Sequence, residues 1–207
     1  MDLYSYVVTH DTGFSPNPFL GCCTLACCKP AIRRKAQKGD WIVGLTPKRD
    51  GNRVVYFMKV EESMGFDAYW RDPRFSQKKP KLHAGIDRKN GDNIYEPQAG
   101  GGYRQLPSRH SNPPFGKRED RRMKERDLGG ERVLVSQRFA YFGSKPSRLP
   151  RELECLIVGR GHRCRFSDKT KAHFRRFVGR RKLRVHAPPR HWPPGDESWK
   201  GAAHCSV

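Results

Sequence analysis

Residues 53–60 read RVVYFMKV and give the clearest strand prediction in the chain. Because their apolar run is continuous and does not alternate with polar residues, it predicts a strand that is buried on both faces. Residues 41–45 (WIVGL) predict a neighbouring strand before it, and residues 3–9 (LYSYVVT) predict another at the start of the chain. β-branched and aromatic residues cluster again at 132–136 and 139–143, where two more strands are predicted.

The first predicted helix is short and strongly basic. Residues 29–36 place Pro30 in the first helical turn, where its missing N–H costs nothing. The helical spacing turns Arg33, Arg34 and Lys35 mostly outward, so these side chains are expected at the surface.

A second helix is predicted at 168–178, with Ser167 as its N-cap. Short strands with few, short helices predict the α+β class, with a small curled sheet or a small β-barrel and a basic C-terminal helix. Residues 118–126 fit both a charged helix and a solvated loop.

The length of 207 residues predicts one domain with its own core. We expect this domain over residues 1–184, with a loop-rich insert at about 76–127. Residues 185–207 are rich in proline and basic residues and predict a disordered tail.

Charge is the strongest compositional signal. The chain has 42 Lys and Arg against 21 Asp and Glu, a formal net charge of +21. Residues 160–190 alone contain twelve Lys or Arg and one acid. Such density predicts a polyanionic partner, with nucleic acid (DNA first) as the main expectation. A membrane partner is not expected, because no amphipathic helix has a broad apolar face.

Four of the seven cysteines crowd into residues 22–28, as Cys22, Cys23, Cys27 and Cys28. No Cys-x2-Cys pair is present, so the cluster does not match a zinc site, and no metal or cofactor is predicted. Buried, reduced thiols are the favoured interpretation, which fits an odd cysteine count and a cytoplasmic location. The alternative is a reactive thiolate, since cations beside Cys28 would lower the pKa of its thiol.

The loop at residues 11–19 offers groups that recognise a nucleobase. Asp11 and Asn17 can read the hydrogen-bonding edge of a base, while Phe14 supplies an aromatic face. A structural loop whose rings fill the core is the alternative. Outside this loop, His110 beside Ser111 is the most notable polar pair, but no third catalytic member is evident in the sequence.

Seven short strings carry a family resemblance that covers about residues 3 to 180. In order, they are 14–19 (FSPNPF), 23–26 (CTLA), 28–33 (CKPAIR), 39–44 (GDWIVG), 72–75 (DPRF), 91–95 (GDNIY) and 139–143 (FAYFG). As a set they resemble the nucleotide modification associated domain family, type two. The resemblance implies a bacterial or phage protein that works near enzymes making or handling modified DNA bases. The strands at 39–44 and 54–60 also resemble the barrel of PUA, ASCH and EVE domains, which implies a PUA-like β-barrel.

These observations favour a protein that binds DNA or a modified base in a polar-aromatic pocket. The residues expected to contact the base are Asp11, Phe14, Asn17, Trp41, His110 and Tyr141. The residues expected to hold phosphates are Arg33, Arg34, Arg175, Arg176, Arg180 and Arg181. The first alternative is an enzyme acting on a modified base or nucleotide through Cys28 or His110. The second is an accessory subunit that binds other proteins of a modification or phage-defence complex.

Overall fold

The computed structural model describes residues 1–192. In this range the strands are β1 Leu3–Val7, β2 Cys23–Leu25, β3 Trp41–Leu45, β4 Val54–Lys59, β5 Glu62–Gly65, β6 Tyr95–Pro97, β7 Tyr103–Gln105, β8 Arg132–Ser136, β9 Phe139–Tyr141 and β10 His162–Arg163. The helices are α1 Pro30–Lys35, α2 Phe66–Arg71, α3 Ile86–Lys89, α4 Arg121–Leu128 and α5 Asp168–Gly179, with 3₁₀ turns at Lys48–Asp50, Pro73–Lys78 and Arg151–Leu156.

The main sheet has five strands in the order β10-β1-β3-β4-β9. β1 and β3 run parallel, while the other neighbouring strands are antiparallel. Residues 54–58 of β4 are at most 1% exposed, which confirms the predicted burial on both faces.

Different elements cover the two faces of this sheet. On one face, Phe174 and Phe177 of α5 pack edge-on against Phe57 of β4. On the other, α1 and the sheet β2-β8-β5 contribute Ile32 and Leu134 to a separate cluster. Full burial of one such side chain stabilises the fold by roughly 1.5–3 kcal/mol relative to exposure, so both layers hold the sheet.

The loop-rich insert has a core of its own. Ile94 and Tyr95 from the insert pack with Phe66 of α2, Phe75 of the 3₁₀ turn and Val133 of β8. The short hairpin of β6 and β7 belongs to the same region. Few regular elements occur here, yet buried apolar contacts fix its backbone to the three-stranded sheet.

The predicted α+β class is confirmed. The sheets described in residues 1–192 are all open, so the predicted alternative of a small, PUA-like β-barrel is wrong. The C-terminal helix is also confirmed, with Ser167 Oγ accepting the N–H of Thr170. The undecided segment 118–126 lies largely in helix α4, which Asp120 caps by accepting the N–H of Met123 at 3.0 Å.

The predicted tail divides at residue 192. Residues 185–192 pack on the domain: the N–H of His186 donates to the carbonyl of Tyr141 at 2.7 Å, and Arg190 pairs with Asp50 at 2.7 Å. The remainder, 193–207, lies outside the described residues. No helix within residues 1–192 is long and apolar enough to cross a membrane.

Candidate active site

Cys28 occupies a left-handed turn between β2 and α1. Its φ is 58°, and the φ of the following Lys29 is 42°. Each non-glycine residue in this region costs roughly 1–2 kcal/mol, so other contacts must hold the turn. The N–H of Cys28 donates to Asp127 Oδ1 at 2.8 Å, and its carbonyl accepts from Arg33 Nε at 2.8 Å. These two bonds fix the backbone on both sides of the Cys28 side chain.

The Cys28 thiol lies at the start of a three-member chain of side chains. Its Sγ is 3.4 Å from His110 Nε2, and His110 Nδ1 is 2.6 Å from Asp127 Oδ2. Asp127 is fully buried and also accepts a hydrogen bond from the Tyr95 hydroxyl at 2.9 Å. A thiol, an imidazole and an orienting carboxylate in this order form the arrangement that activates a nucleophile in thiol enzymes.

The insert holds His110 in place from two sides. The N–H of His110 donates to Ser108 Oγ at 3.2 Å, and the buried Ser111 Oγ accepts the N–H of Ser108 at 3.2 Å. On the other side, the ring of Phe14 packs 5.2 Å from the imidazole, centroid to centroid. The loop 108–111 therefore presents the imidazole in one orientation between Cys28 and Asp127.

The side chain of Arg33 links the turn at Cys28 to helix α4 and strand β8. Its guanidinium is fully buried and donates to the carbonyls of Cys28, Asp127 and Arg132. Gly130 makes room for it, because a Cβ there would stand 2.3 Å from the guanidinium carbon. The predicted outward orientation of Arg33 is wrong: three backbone carbonyls that need donors draw the side chain inward.

The electrostatics of the three groups favour an ion pair between Cys28 and His110. Burial alone would raise the pKa of the Cys28 thiol, but the hydrogen bond and charge of His110, with help from Arg126, hold it below its usual value. Burial alone would lower the pKa of His110, but Asp127 and Cys28 raise it to about 10. A lowered thiol pKa makes Cys28 a thiolate nearer neutral pH than an ordinary cysteine.

The other clustered cysteines behave differently. Cys22, Cys23 and Cys27 are buried, which agrees with the prediction of packed, reduced thiols. Burial raises the pKa of Cys23 and Cys27 well above the usual thiol value. In contrast to Cys23 and Cys27, Cys28 has a lowered thiol pKa, so it is the candidate for a reactive thiolate in this cluster.

One set of possible metal ligands overlaps this site. Potential ligand atoms of Cys27, His110 and Asp127 all lie within 4.8 Å of one another. However, His110 Nδ1 and Asp127 Oδ2 are 2.6 Å apart, a direct hydrogen bond that leaves no space for an ion between them. Because the pKa of Cys27 is also raised, the donor set suits hydrogen bonding better than metal coordination.

Arg126 borders the site on the solvent side. Its guanidinium Nη2 is 2.8 Å from His110 Nε2 and 3.6 Å from Cys28 Sγ. The side chain is 43% exposed. It is thus a cation that is in contact with solvent and with the side chains of Cys28 and His110.

A model of the family described as nucleotide modification associated domain 2 matches residues 1–195. The chain belongs to this family. No curated protein and no solved structure matched the sequence or fold of this chain. For this member of the nucleotide modification associated domain 2 family, the PUA-like similarity stays a resemblance.

The residues predicted to contact a base lie in several places. Phe14 and His110 meet at the triad, although Phe14 is only 3% exposed and its ring supports the imidazole. Asp11 and Tyr141 form a buried hydrogen bond with each other, to which the N–H of Arg190 adds a bond to Asp11 at 3.0 Å.

Asn17 and Trp41 occupy two further interior positions. The Asn17 side chain accepts from the buried Lys78 ammonium at 2.8 Å and donates to the carbonyl of Asn90. Trp41 packs edge-on against Phe174 beneath α5. Within residues 1–192, no described hydrogen bond or ring contact joins Asn17, Trp41 or Tyr141 to the triad, and base contact by them stays a prediction.

The arginines predicted to hold phosphates divide into two groups. Arg33 is the buried clamp described above, and Arg34 donates to the carbonyl of Gly129 at 2.7 Å from an exposed position. The other four lie on or just after α5: Arg175, Arg176 and Arg180 are exposed and Arg181 is partly exposed. Phosphate contact by the α5 arginines stays a prediction.

In this nucleotide modification associated domain 2 protein, the residues that sequence reasoning missed are Asp127 and Arg126. Both stand in a run of charged residues at the end of the insert, where single side chains have no distinguishing context. Asp127 is 99 residues from Cys28 in sequence.

Proposed function

We propose that this protein is a cysteine-dependent enzyme of a nucleotide or DNA modification system. Cys28 is the nucleophile, His110 the base and acid, and Asp127 the group that orients His110. The observation that carries the proposal is the unbroken chain of contacts from Sγ through the imidazole to the buried carboxylate. Membership of the nucleotide modification associated domain 2 family supports a nucleotide or nucleic acid as the setting.

The reaction that these groups suit is acyl transfer from an amide or ester on a modified base. The Cys28 thiolate forms a bond to the carbonyl carbon, and the carbonyl π electrons move to oxygen. When that oxygen's electrons return, the bond to the leaving amine or alcohol breaks, and His110 Nε2 gives the departing group a proton. Water, losing a proton to His110, then releases the acid and restores the thiol.

The N–H of Cys28 is not free to stabilise the developing oxyanion. It is already bonded to Asp127 Oδ1, where it fixes the carboxylate. The guanidinium of Arg126, 3.6 Å from Sγ, is a described donor that can reach an anionic group of the substrate.

Alkylation of the folded protein tests the proposal before any substrate is known. Peptide mass spectrometry after iodoacetamide treatment at neutral pH gives separate rates for Cys28 and the exposed Cys155. We expect Cys28 to react faster, although it is the more buried of the two. His110→Gln should remove this advantage, and a Cys28 rate no higher than that of Cys155 in the unaltered protein would overturn the proposal.

Turnover gives the second test. Nucleosides and DNA bearing acylated or amidated bases are incubated with the protein and analysed by mass spectrometry. Cys28→Ser should abolish any conversion, whereas Cys155→Ser, which changes a thiol outside the triad, should not. Conversion retained in Cys28→Ser would show that another residue performs the chemistry.

We also propose that helix α5 binds the nucleic-acid backbone. A cleft of about 380 Å³ between the 3₁₀ turn Arg151–Leu156 and α5 is lined by Arg176, Arg180 and Arg181, and the last guanidinium stacks on Phe177 at 4.5 Å. Such a surface favours phosphates over base edges, so it predicts binding that depends on salt more than on sequence.

A salt series separates this surface from non-specific charge. Each phosphate contact on duplex DNA contributes about 0.9 to the slope of log affinity against log salt, so Arg180→Ala with Arg181→Ala should reduce the slope by about 1.8. Arg121→Ala with Arg122→Ala removes the same charge from exposed positions on α4. Equal slopes for the two double variants would contradict the role of α5.

A further inference from the structure

The contact between Arg126 and His110 places two nitrogen atoms against each other. Arg126 Nη2 is always a donor, and it lies 2.8 Å from His110 Nε2. When His110 is protonated in the ion pair with Cys28, Nε2 is a donor as well and offers Arg126 no acceptor. The two cationic groups then repel each other, and the guanidinium is available to another anion.

Positive groups outnumber negative ones around the Cys28 thiol. Besides Arg126 and His110, the Lys29 ammonium lies in the same turn, where it donates to the carbonyl of Val7 at 3.3 Å and stands 4.5 Å from the centroid of the Tyr6 ring. The described carboxylate at the triad is Asp127, whose Oδ2 faces His110 and whose Oδ1 is 3.9 Å from Arg126 Nε. Within residues 1–192 this is the one ion pair described for Arg126, so its Nη2 atom has no carboxylate partner there.

We propose that Arg126 forms the anion subsite of this active site and receives a phosphate group of the nucleotide substrate. This inference rests on the proposed function of Cys28. A phosphate that takes the guanidinium in a two-pronged contact draws Arg126 away from His110. The repulsion between Arg126 and the protonated imidazole is then relieved, so phosphate binding favours the ion pair that keeps Cys28 a thiolate.

The preference of Cys28 for a charged reagent tests the subsite. Iodoacetate and iodoacetamide both form a carbon–sulfur bond and expel iodide, but only iodoacetate brings a carboxylate. With rates normalised to free cysteine, the iodoacetate to iodoacetamide ratio at Cys28 should exceed that of Arg126→Gln by about fivefold, the effect of one charge about 4 Å away in water. Arg122→Gln, which removes the same charge from an exposed position on α4, should keep the preference of the unaltered protein.

Competing anions identify the source of the phosphate. Inorganic phosphate, thymidine 5′-monophosphate and a short DNA duplex are each added to the iodoacetate reaction. Protection by the monophosphate assigns the subsite to a free nucleotide, and protection by the duplex alone assigns it to a backbone phosphate; either should be lost in Arg126→Gln. Equal reagent ratios in the unaltered protein and Arg126→Gln would overturn the subsite, even if rapid iodoacetamide labelling still supports Cys28 as nucleophile.

Discussion

Replacing Asp127 by asparagine tests the triad most directly, because the change keeps the size of the side chain and alters its hydrogen bonding. The carboxylate accepts three bonds, from the N–H of Cys28, from His110 Nδ1 and from the Tyr95 hydroxyl. An amide has one acceptor oxygen and two N–H donors. In either orientation its NH2 group meets a donor, on the Cys28 side or on the side of His110 and Tyr95.

The size of the effect follows from these contacts. A buried donor left without an acceptor costs about 1–3 kcal/mol of stability, so Asp127→Asn should lower the free energy of unfolding by that amount. The imidazolium also loses the carboxylate that raises the pKa of His110 to about 10. Without a charged His110, the pKa of the Cys28 thiol returns upward toward or beyond its ordinary value, and less thiolate is present at neutral pH.

The pH profile of Cys28 alkylation measures this change. Because the thiolate is the reactive form, the rate rises with pH around the thiol pKa. We expect the midpoint of the unaltered protein below the ordinary thiol value and that of Asp127→Asn at or above that value. The rate at pH 7 should fall about tenfold for each pKa unit that separates the two midpoints. Tyr95→Phe keeps the carboxylate and should shift the midpoint much less. Identical midpoints for the unaltered protein and Asp127→Asn would refute the role of the carboxylate.

Two further substitutions test which contacts hold the site in place and whether destabilising the distant helix α5 affects it. Arg33→Met leaves three backbone carbonyls without their buried donor, so urea unfolding should show a loss of about 3–5 kcal/mol, and a loss below about 1 kcal/mol would contradict the clamp. Ser167→Ala removes the N-cap of α5 and should cost about 1 kcal/mol in the same assay while leaving Cys28 alkylation unchanged. A slower Cys28 in Ser167→Ala would mean that α5 and the triad are coupled.

Much of the fold could be predicted because its signals are local. The run at 53–60 is continuous and apolar, which is sufficient for a strand covered on both faces. Ser167 and the spacing of Phe174 and Phe177 likewise define α5 within a dozen residues. Local sequence could not predict whether the strands close into a barrel or form open sheets, because this depends on which strand edges pair across the chain.

The site shows the same division between local and distant signals. Cys28 and His110 were candidates because thiols and imidazoles are reactive groups in any sequence. Their partnership depends on a loop and a helix of the insert, which bring His110 and Asp127 to a turn 82 and 99 residues earlier. Because the sequence of the insert has no regular periodicity, it does not indicate that His110 and Asp127 lie close to Cys28 in space.

The contacts of Arg33 connect the strained turn at Cys28 with the arrangement of the site. A short basic helix predicts an exposed arginine, yet the left-handed turn at Cys28 directs a carbonyl toward α1, and the end of α4 and the start of β8 each direct another to the same point. Three buried acceptors without donors would cost more than burying one guanidinium that satisfies them all. The same contacts that offset the strained turn therefore set the position of Asp127 relative to Cys28. The position of the Cys28 side chain is thus a consequence of how this turn is stabilised.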